Sequence, residues 1–214
     1  MIPADQSQHA LALCKLAPVI PVLVVHDLAH ARPLAEALVA GGLPVLEVTL
    51  RTDCALDAIK AMAQVSGAHV GAGTVLTERQ MAAAKSAGAR FAVSPGATPA
   101  LIDAARVHEV PLLPGAQTCS EVMSLLEQGY SVQKFFPAEA IGGASALKSI
   151  GGPLPQVTFC PTGGISVARA PDYLRLPNVA CVGGSWIAPQ DAMAKGDWAA
   201  ITELAKAAAE LPRA

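Results

Sequence analysis

Short apolar β-type runs alternate with alanine-rich amphipathic stretches along the whole chain, and this alternation limits the fold more than any other feature. Eight such runs occur: Ile20 to Val25, Val45 to Leu50, Ala68 to Gly71, Phe91 to Val93, Leu112 to Leu113, Val132 to Phe136, Val157 to Cys160 and Val179 to Val182. They recur roughly every 20–25 residues, the spacing of repeated βα units whose strands lie parallel. Helix-like stretches begin near Leu28, Asp53, Thr77, Thr98, Thr118, Gly143, Ser166 and Pro189. Several open on a capping residue, as at Thr77, at Ser166 and at Thr118, which has Glu121 three positions on. A further helix is expected over Asp5 to Leu16 and a last one over Trp198 to Glu210. Eight units favour a closed (β/α)8 TIM barrel of the α/β class, with an extra N-terminal helix, over an open sheet. No linker or low-complexity tract interrupts residues 1–214, so one barrel domain is expected. Pro21 cannot donate to a strand ladder and is expected at a strand's start.

In such a barrel both strand faces are covered, which suits a chain that is 52% hydrophobic and only 15% charged. A polar side chain inside a strand is then conspicuous. Lys134 lies in Val132-Gln133-Lys134-Phe135-Phe136-Pro137, where alternation puts it on one face with Val132 and Phe136 and puts Gln133 and Phe135 on the other. Desolvation disfavours an ammonium, and a neutral amine is a nucleophile for carbonyls. A lysine that snorkels or pairs with an acid is the competing reading. The run Val45-Leu46-Glu47-Val48-Thr49-Leu50-Arg51 alternates in the same way, with Leu46, Val48 and Leu50 on one face and Glu47, Thr49 and Arg51 on the other. A half-exposed antiparallel strand would show that pattern too. Within a parallel barrel it places a glutamate and an arginine on the inner wall near a strand's C-terminal end, where barrel enzymes carry their chemistry.

Two glycine-rich strand ends form a second constellation: Pro161-Thr162-Gly163-Gly164-Ile165-Ser166 after the seventh run and Gly183-Gly184-Ser185-Trp186 after the eighth. Glycine admits an anion close to backbone N–H groups, and these two loops are the frequent phosphate site of the fold. A single Gly-Gly pair is usually only a turn. Gly71-Ala72-Gly73-Thr74 and Ser94-Pro95-Gly96 add small residues that leave room at the mouth.

Other classes are poorly served. A net charge of −2, with four Phe, two Trp and two Tyr, offers neither the basic patch nor the stacking platforms of a nucleic-acid binder. The apolar stretch from Leu16 to Val25 contains Pro18 and Pro21 and is too short to span a bilayer, so no membrane partner and no signal peptide are expected. The five cysteines, Cys14, Cys54, Cys119, Cys160 and Cys181, are scattered without metal-site spacing and read as reduced thiols in a cytoplasm.

Taken in order along nearly the whole chain, Gly42-Leu43-Pro44-Val45-Leu46-Glu47-Val48-Thr49-Leu50-Arg51, Lys134-Phe135-Phe136-Pro137-Ala138-Glu139, Cys160-Pro161-Thr162-Gly163-Gly164-Ile165 and Gly183-Gly184-Ser185-Trp186 resemble the 2-keto-3-deoxy-6-phosphogluconate (KDPG) and 4-hydroxy-2-oxoglutarate aldolases. The resemblance implies a class I lyase of the Entner–Doudoroff pathway, free of metal and cofactor, typically a cytoplasmic homotrimer acting on a phosphorylated keto acid. Carried over residue by residue, it implies Lys134 as the Schiff-base lysine and Glu47 as the proton shuttle. Arg51 and Thr74 would meet the substrate carboxylate, Pro95 and Phe136 would shape the pocket, and Thr162 would lie beside the substrate chain. Gly163, Gly164 and Ser185 would hold the phosphate. The family usually has an apolar residue where this chain has Gln133, and commonly an asparagine where it has Ile141. Three alternatives stay open: a lysine aldolase preferring the galactonate epimer, a metal-dependent 2-oxo-acid aldolase, and a phosphate-binding barrel without catalysis. The metal-dependent case needs ligands at the mouth, and of His9, His26, His30, His69 and His108 only His26 falls near a strand's C-terminal end.

Overall fold

The computed structural model describes residues 1–214. The strands are β1 (Val19–Leu23), β2 (Val45–Thr49), β3 (His69–Gly73), β4 (Ala92–Val93), β5 (Leu112–Leu113), β6 (Gly115–Ala116), β7 (Val132–Phe135), β8 (Thr158–Pro161) and β9 (Val182–Gly184). Every pairing is parallel. One run of neighbours is β5-β4-β3-β2-β1-β9 and the other is β6-β7-β8. β5 and β6 are two halves of the fifth strand, split at Pro114, which has no N–H to donate, and its carbonyl accepts from Lys134 N at 2.8 Å. Parallel bridges Phe159↔Val179 and Thr162↔Gly183 join β8 to the β9 segment and close the ring. The result is the expected (β/α)8 barrel.

The main helices are α1 (Pro3–Cys14), α2 (Ala31–Ala40), α3 (Ala55–Met62), α4 (Glu78–Ser86), α5 (Pro99–Val107), α6 (Cys119–Glu127), α7 (Gly143–Gly151), α8 (Ala170–Leu174), α9 (Gln190–Lys195) and α10 (Trp198–Ala209). Thr77, Thr98 and Thr118 each accept a hydrogen bond from the N–H three residues on, and Thr118 forms a full capping box with Glu121. Ser166 caps nothing of this kind: α8 starts only at Ala170, after a turn in which the Ser166 carbonyl accepts from Arg169 N and Ala170 N. The segment from Leu28 opens as a 3-10 turn before α2.

Seven of the eight strands differ from the sequence reading by one to three residues at an end, and three of these shifts matter here. β1 runs Val19–Leu23, so Pro21 is its middle residue rather than its first. Val19, Ile20 and Pro21 register with β9 and Val22 and Leu23 with β2, so the missing donor falls where the strand changes partner. The seventh barrel position begins at Thr158 and extends to Pro161, and the eighth is Val182–Gly184, with Val179 contributing only a bridge.

Alternation sorts the interior into two layers. Leu46, Val48, Phe135 and Phe159 belong to the large layer between strands and helices. Ile20, Val45, Phe91, Val93, Leu113, Val132, Cys160 and Cys181 fill the lumen, closed at the strands' N-terminal end by Ala10 and Cys14 of α1. α1 is pinned there by two buried polar side chains. Gln6 Oε1 accepts from Leu112 N at 3.2 Å and from Tyr130 Oη at 2.8 Å, and Ser7 Oγ accepts from Ser131 N at 3.1 Å. The floor is thus apolar and sealed, which leaves the C-terminal ends of the strands as the place where polar groups converge.

Candidate active site

Lys134 is the third residue of β7 and points into the lumen above Val132, in register with Gly115 on one side and Cys160 on the other. Glu47 occupies the third position of β2, above Val45, in register with Gly71. Neither strand neighbours the other, yet the two side chains meet across the barrel: Lys134 Nζ donates to Glu47 Oε1 at 3.2 Å. Both residues are almost wholly withdrawn from water, at 5% and 3% exposure. Replacing an ion pair this deep by an apolar pair of similar volume is often neutral or stabilising, so stability alone does not account for its presence. The Phe136 ring centroid lies 5.3 Å from Nζ, adding a cation–π contact from the end of the same strand.

Room for this pair depends on a neighbouring glycine. A Cβ on Gly73 would lie 2.4 Å from Glu47 Oε1, so any larger residue there would displace the carboxylate. On the opposite wall a Cβ on Gly183 would lie 2.3 Å from Thr162 Oγ1. Thr162 is buried and its hydroxyl has no hydrogen-bond partner within the protein, as is also true of Ser94 Oγ and Gln133 Oε1. Thr49, one inward step above Glu47, is used structurally, its hydroxyl donating to Leu23 O at 2.9 Å.

The remaining predicted residues ring the mouth. β2 ends at Thr49, so Arg51 lies beyond the strand, its N–H turned back to the Thr49 carbonyl, and its side chain is exposed rather than on the inner wall. Thr74 follows β3 with φ of 59°, a left-handed conformation costly for a β-branched residue and characteristic of constrained sites. Pro95 follows β4 half-buried, its carbonyl approached so closely by Gly115 that a Cβ there would lie 2.3 Å away. Gly163 and Gly164 have φ of 107° and 76°, which glycine adopts without strain. Their loop is tied to the one after β7 by Ala138 N–H to Thr162 O at 2.8 Å and Glu139 N–H to Gly163 O at 3.0 Å. Ser185 is exposed just past β9, and the Thr162↔Gly183 bridge holds the two glycine loops side by side. The N–H groups of Gly163, Gly164 and Ser185 donate to no backbone acceptor, leaving a set of free donors on one edge of the mouth.

Sequence reasoning missed two supports. Glu139 accepts a hydrogen bond from Tyr173 Oη, and burial together with that contact pushes the Tyr173 phenol up. This braces the glycine loop, since a Cβ on Gly164 would lie 3.0 Å from Glu139 Cβ. The steric role of Gly73 was also hidden, because it depends on the side chain of a neighbouring strand. Gln133 sits as alternation requires: it faces the helix layer, its Nε2 donating to Val122 O of α6 at 3.0 Å and Tyr130 O at 2.9 Å. Histidine does not reach the mouth's inner wall: His69 starts β3 at the closed end, where burial and Arg90 push its imidazole down, and His26 is exposed.

A parallel barrel with a desolvated lysine–carboxylate pair under a mouth of free donors defines the class, a (β/α)8 enzyme working at the C-terminal ends of its strands. The model of the KDPG and KHG aldolase family matches residues 11–204, and the chain belongs to that family. It is 57% identical over 194 residues to the KHG/KDPG aldolase of Escherichia coli strain K12, covering 90% of this chain and 91% of that protein. Among solved structures, the KDPG aldolase of Zymomonas mobilis ZM4 with 3-phosphoglycerate superposes with a TM-score of 0.93 at 53% identity, covering 97% of this chain and 98% of the other. The Legionella pneumophila KDPG aldolase, with pyruvate captured as a covalent carbinolamine, gives 0.90 at 51% identity, covering 94% and 98%.

Proposed function

We propose that this chain is a class I aldolase that cleaves 2-keto-3-deoxy-6-phosphogluconate to pyruvate and glyceraldehyde 3-phosphate, and that it also accepts 4-hydroxy-2-oxoglutarate. The observation that carries this reading is the Lys134–Glu47 contact at 3.2 Å, buried in the lumen. Lys134 attacks the C2 carbonyl, and the carbinolamine loses water to give a protonated imine, an electron sink next to the bond to be broken. Glu47, already within proton-transfer distance of Nζ, serves the dehydration and then removes the C4 hydroxyl proton. The C3–C4 bond cleaves and glyceraldehyde 3-phosphate leaves. The pyruvyl enamine is protonated at C3 through Glu47, and water releases pyruvate. Arg51 and Thr74 take the carboxylate end, Pro95 and Phe136 set the walls, and the orphan hydroxyl of Thr162 faces the substrate chain. Gly163, Gly164 and Ser185 take the phosphate. Family resemblance adds a homotrimer in the cytoplasm to this reading.

Borohydride reduction in the presence of pyruvate tests the chemistry directly. The intact protein is expected to gain one lactyl-type adduct on Lys134 and lose activity, while Lys134→Met gains none. Adduct on another residue, or no adduct, refutes the imine.

The glycine loops have their own test. Ser185→Ala removes one hydrogen bond to a charged group, worth about 1.5–3 kcal/mol. Catalytic efficiency on the 6-phosphate is expected to fall roughly 10- to 150-fold. Efficiency on 4-hydroxy-2-oxoglutarate, which carries no phosphate, should change little. Equal losses on both substrates would place the phosphate elsewhere.

A further inference from the structure

At the closed end of the barrel three thiols far apart in the chain come together. Cys14 is the last residue of α1, Cys160 lies on β8, and Cys181 immediately precedes β9. Their sulfurs all lie within 4.8 Å of one another, and Cys181 Sγ is 3.5 Å from Cys160 Sγ. All three residues are buried, at 1%, 3% and 0% exposure, and they pack with Ala10, Ile20, Val45 and Val132. The proposed aldolase chemistry uses none of them.

We propose that this trio is a three-sulfur site for one soft, low-coordinate metal ion of the copper(I) class. Sulfurs bound at about 2.3 Å in a plane around one ion stand about 4.0 Å apart, within the spacing the thiols already have. Thiolate donors select soft ions, and copper(I) is the first-row ion suited to them. Structural zinc takes four ligands in a tetrahedron, and only three ligating side chains, all cysteines, converge here. Cys181 Sγ donates to Cys160 Sγ, and Cys160 registers with Lys134 on the adjoining strand, so two of the three sulfurs are already in contact. Ligand thiols give up their protons as the ion enters. Entry requires the last turn of α1 to lift, and the bound ion then ties that helix to two barrel strands.

The test is an anaerobic copper(I) titration of the reduced protein in a Cys54→Ala/Cys119→Ala background, against a chromogenic copper(I) chelator. That background keeps only the three buried thiols. One copper(I) per chain is expected to be retained through desalting, with a raised thermal midpoint for the loaded protein. Cys14→Ser and Cys181→Ser, each checked by circular dichroism for an intact fold before loading, are expected to weaken retention by at least about 100-fold, more than loss of an outer-shell partner would cause. Absence of retention overturns the site and leaves three cysteines acting as small hydrophobic residues. Retention that survives both serine variants overturns it as well, as would stoichiometric zinc binding without copper(I) binding. None of these readouts depends on aldolase turnover, so this site and the proposed activity stand or fall separately.

Discussion

Glu47→Gln is expected to lower turnover about 10²- to 10⁴-fold while changing the Michaelis constant little, because the amide keeps the size of the carboxylate but accepts no proton. The effect is this large because in the proposed mechanism one carboxylate serves several steps: dehydration of the carbinolamine, cleavage of the C3–C4 bond and protonation of the enamine. It lies 3.2 Å from Lys134 Nζ, the atom on which the proposed imine forms. The imine itself should still form, slowly, so borohydride with pyruvate should continue to label Lys134 in this variant. Steady-state kinetics on the 6-phosphate, with single-turnover trapping alongside, separates the steps. Near-normal turnover would remove Glu47 from the mechanism, and loss of labelling would make it part of nucleophile formation alone.

Lys134→Met is expected to destabilise the protein by about 3–5 kcal/mol as well as inactivate it, since it leaves the Glu47 carboxylate buried without its partner. Lys134→Met/Glu47→Leu removes both charges and is expected to regain that loss, or to exceed the parent by about 1–4 kcal/mol, as apolar replacements of buried ion pairs often do. Denaturant midpoints at unchanged slope provide the measurement. A double variant as unstable as the two single losses combined would make the pair a structural brace. A recovered double variant would mean that the barrel gives up stability to keep a desolvated amine and a carboxylate in contact.

Much of this site was legible from strand periodicity. Side chains alternate on a strand whatever lies around it, so Lys134 and Val132 had to share a face, Gln133 had to leave it, and Glu47 had to face away from Leu46 and Val48. Helix starts at Thr77, Thr98 and Thr118 were equally local, because a cap is made with an N–H three residues away. Arg51 shows where that logic stops. Periodicity keeps counting past Thr49, but the strand ends there and Arg51 is exposed.

What the sequence by itself determined was therefore the repeat of eight βα units, the inward side of each strand and the glycine-rich ends after β8 and β9. Each of these depends on residues within a few positions of one another. Only the tertiary structure decided that β2 and β7, 87 residues apart at their functional side chains, bring a lysine and a glutamate together across the lumen. It also decided that Gly73 makes room for Glu47, that Glu139 and Tyr173 brace the glycine loop, and that Cys14, Cys160 and Cys181 meet in the lumen. Those contacts are set by closure of the barrel and by the stagger between strands, and neither quantity is carried by any local stretch of chain.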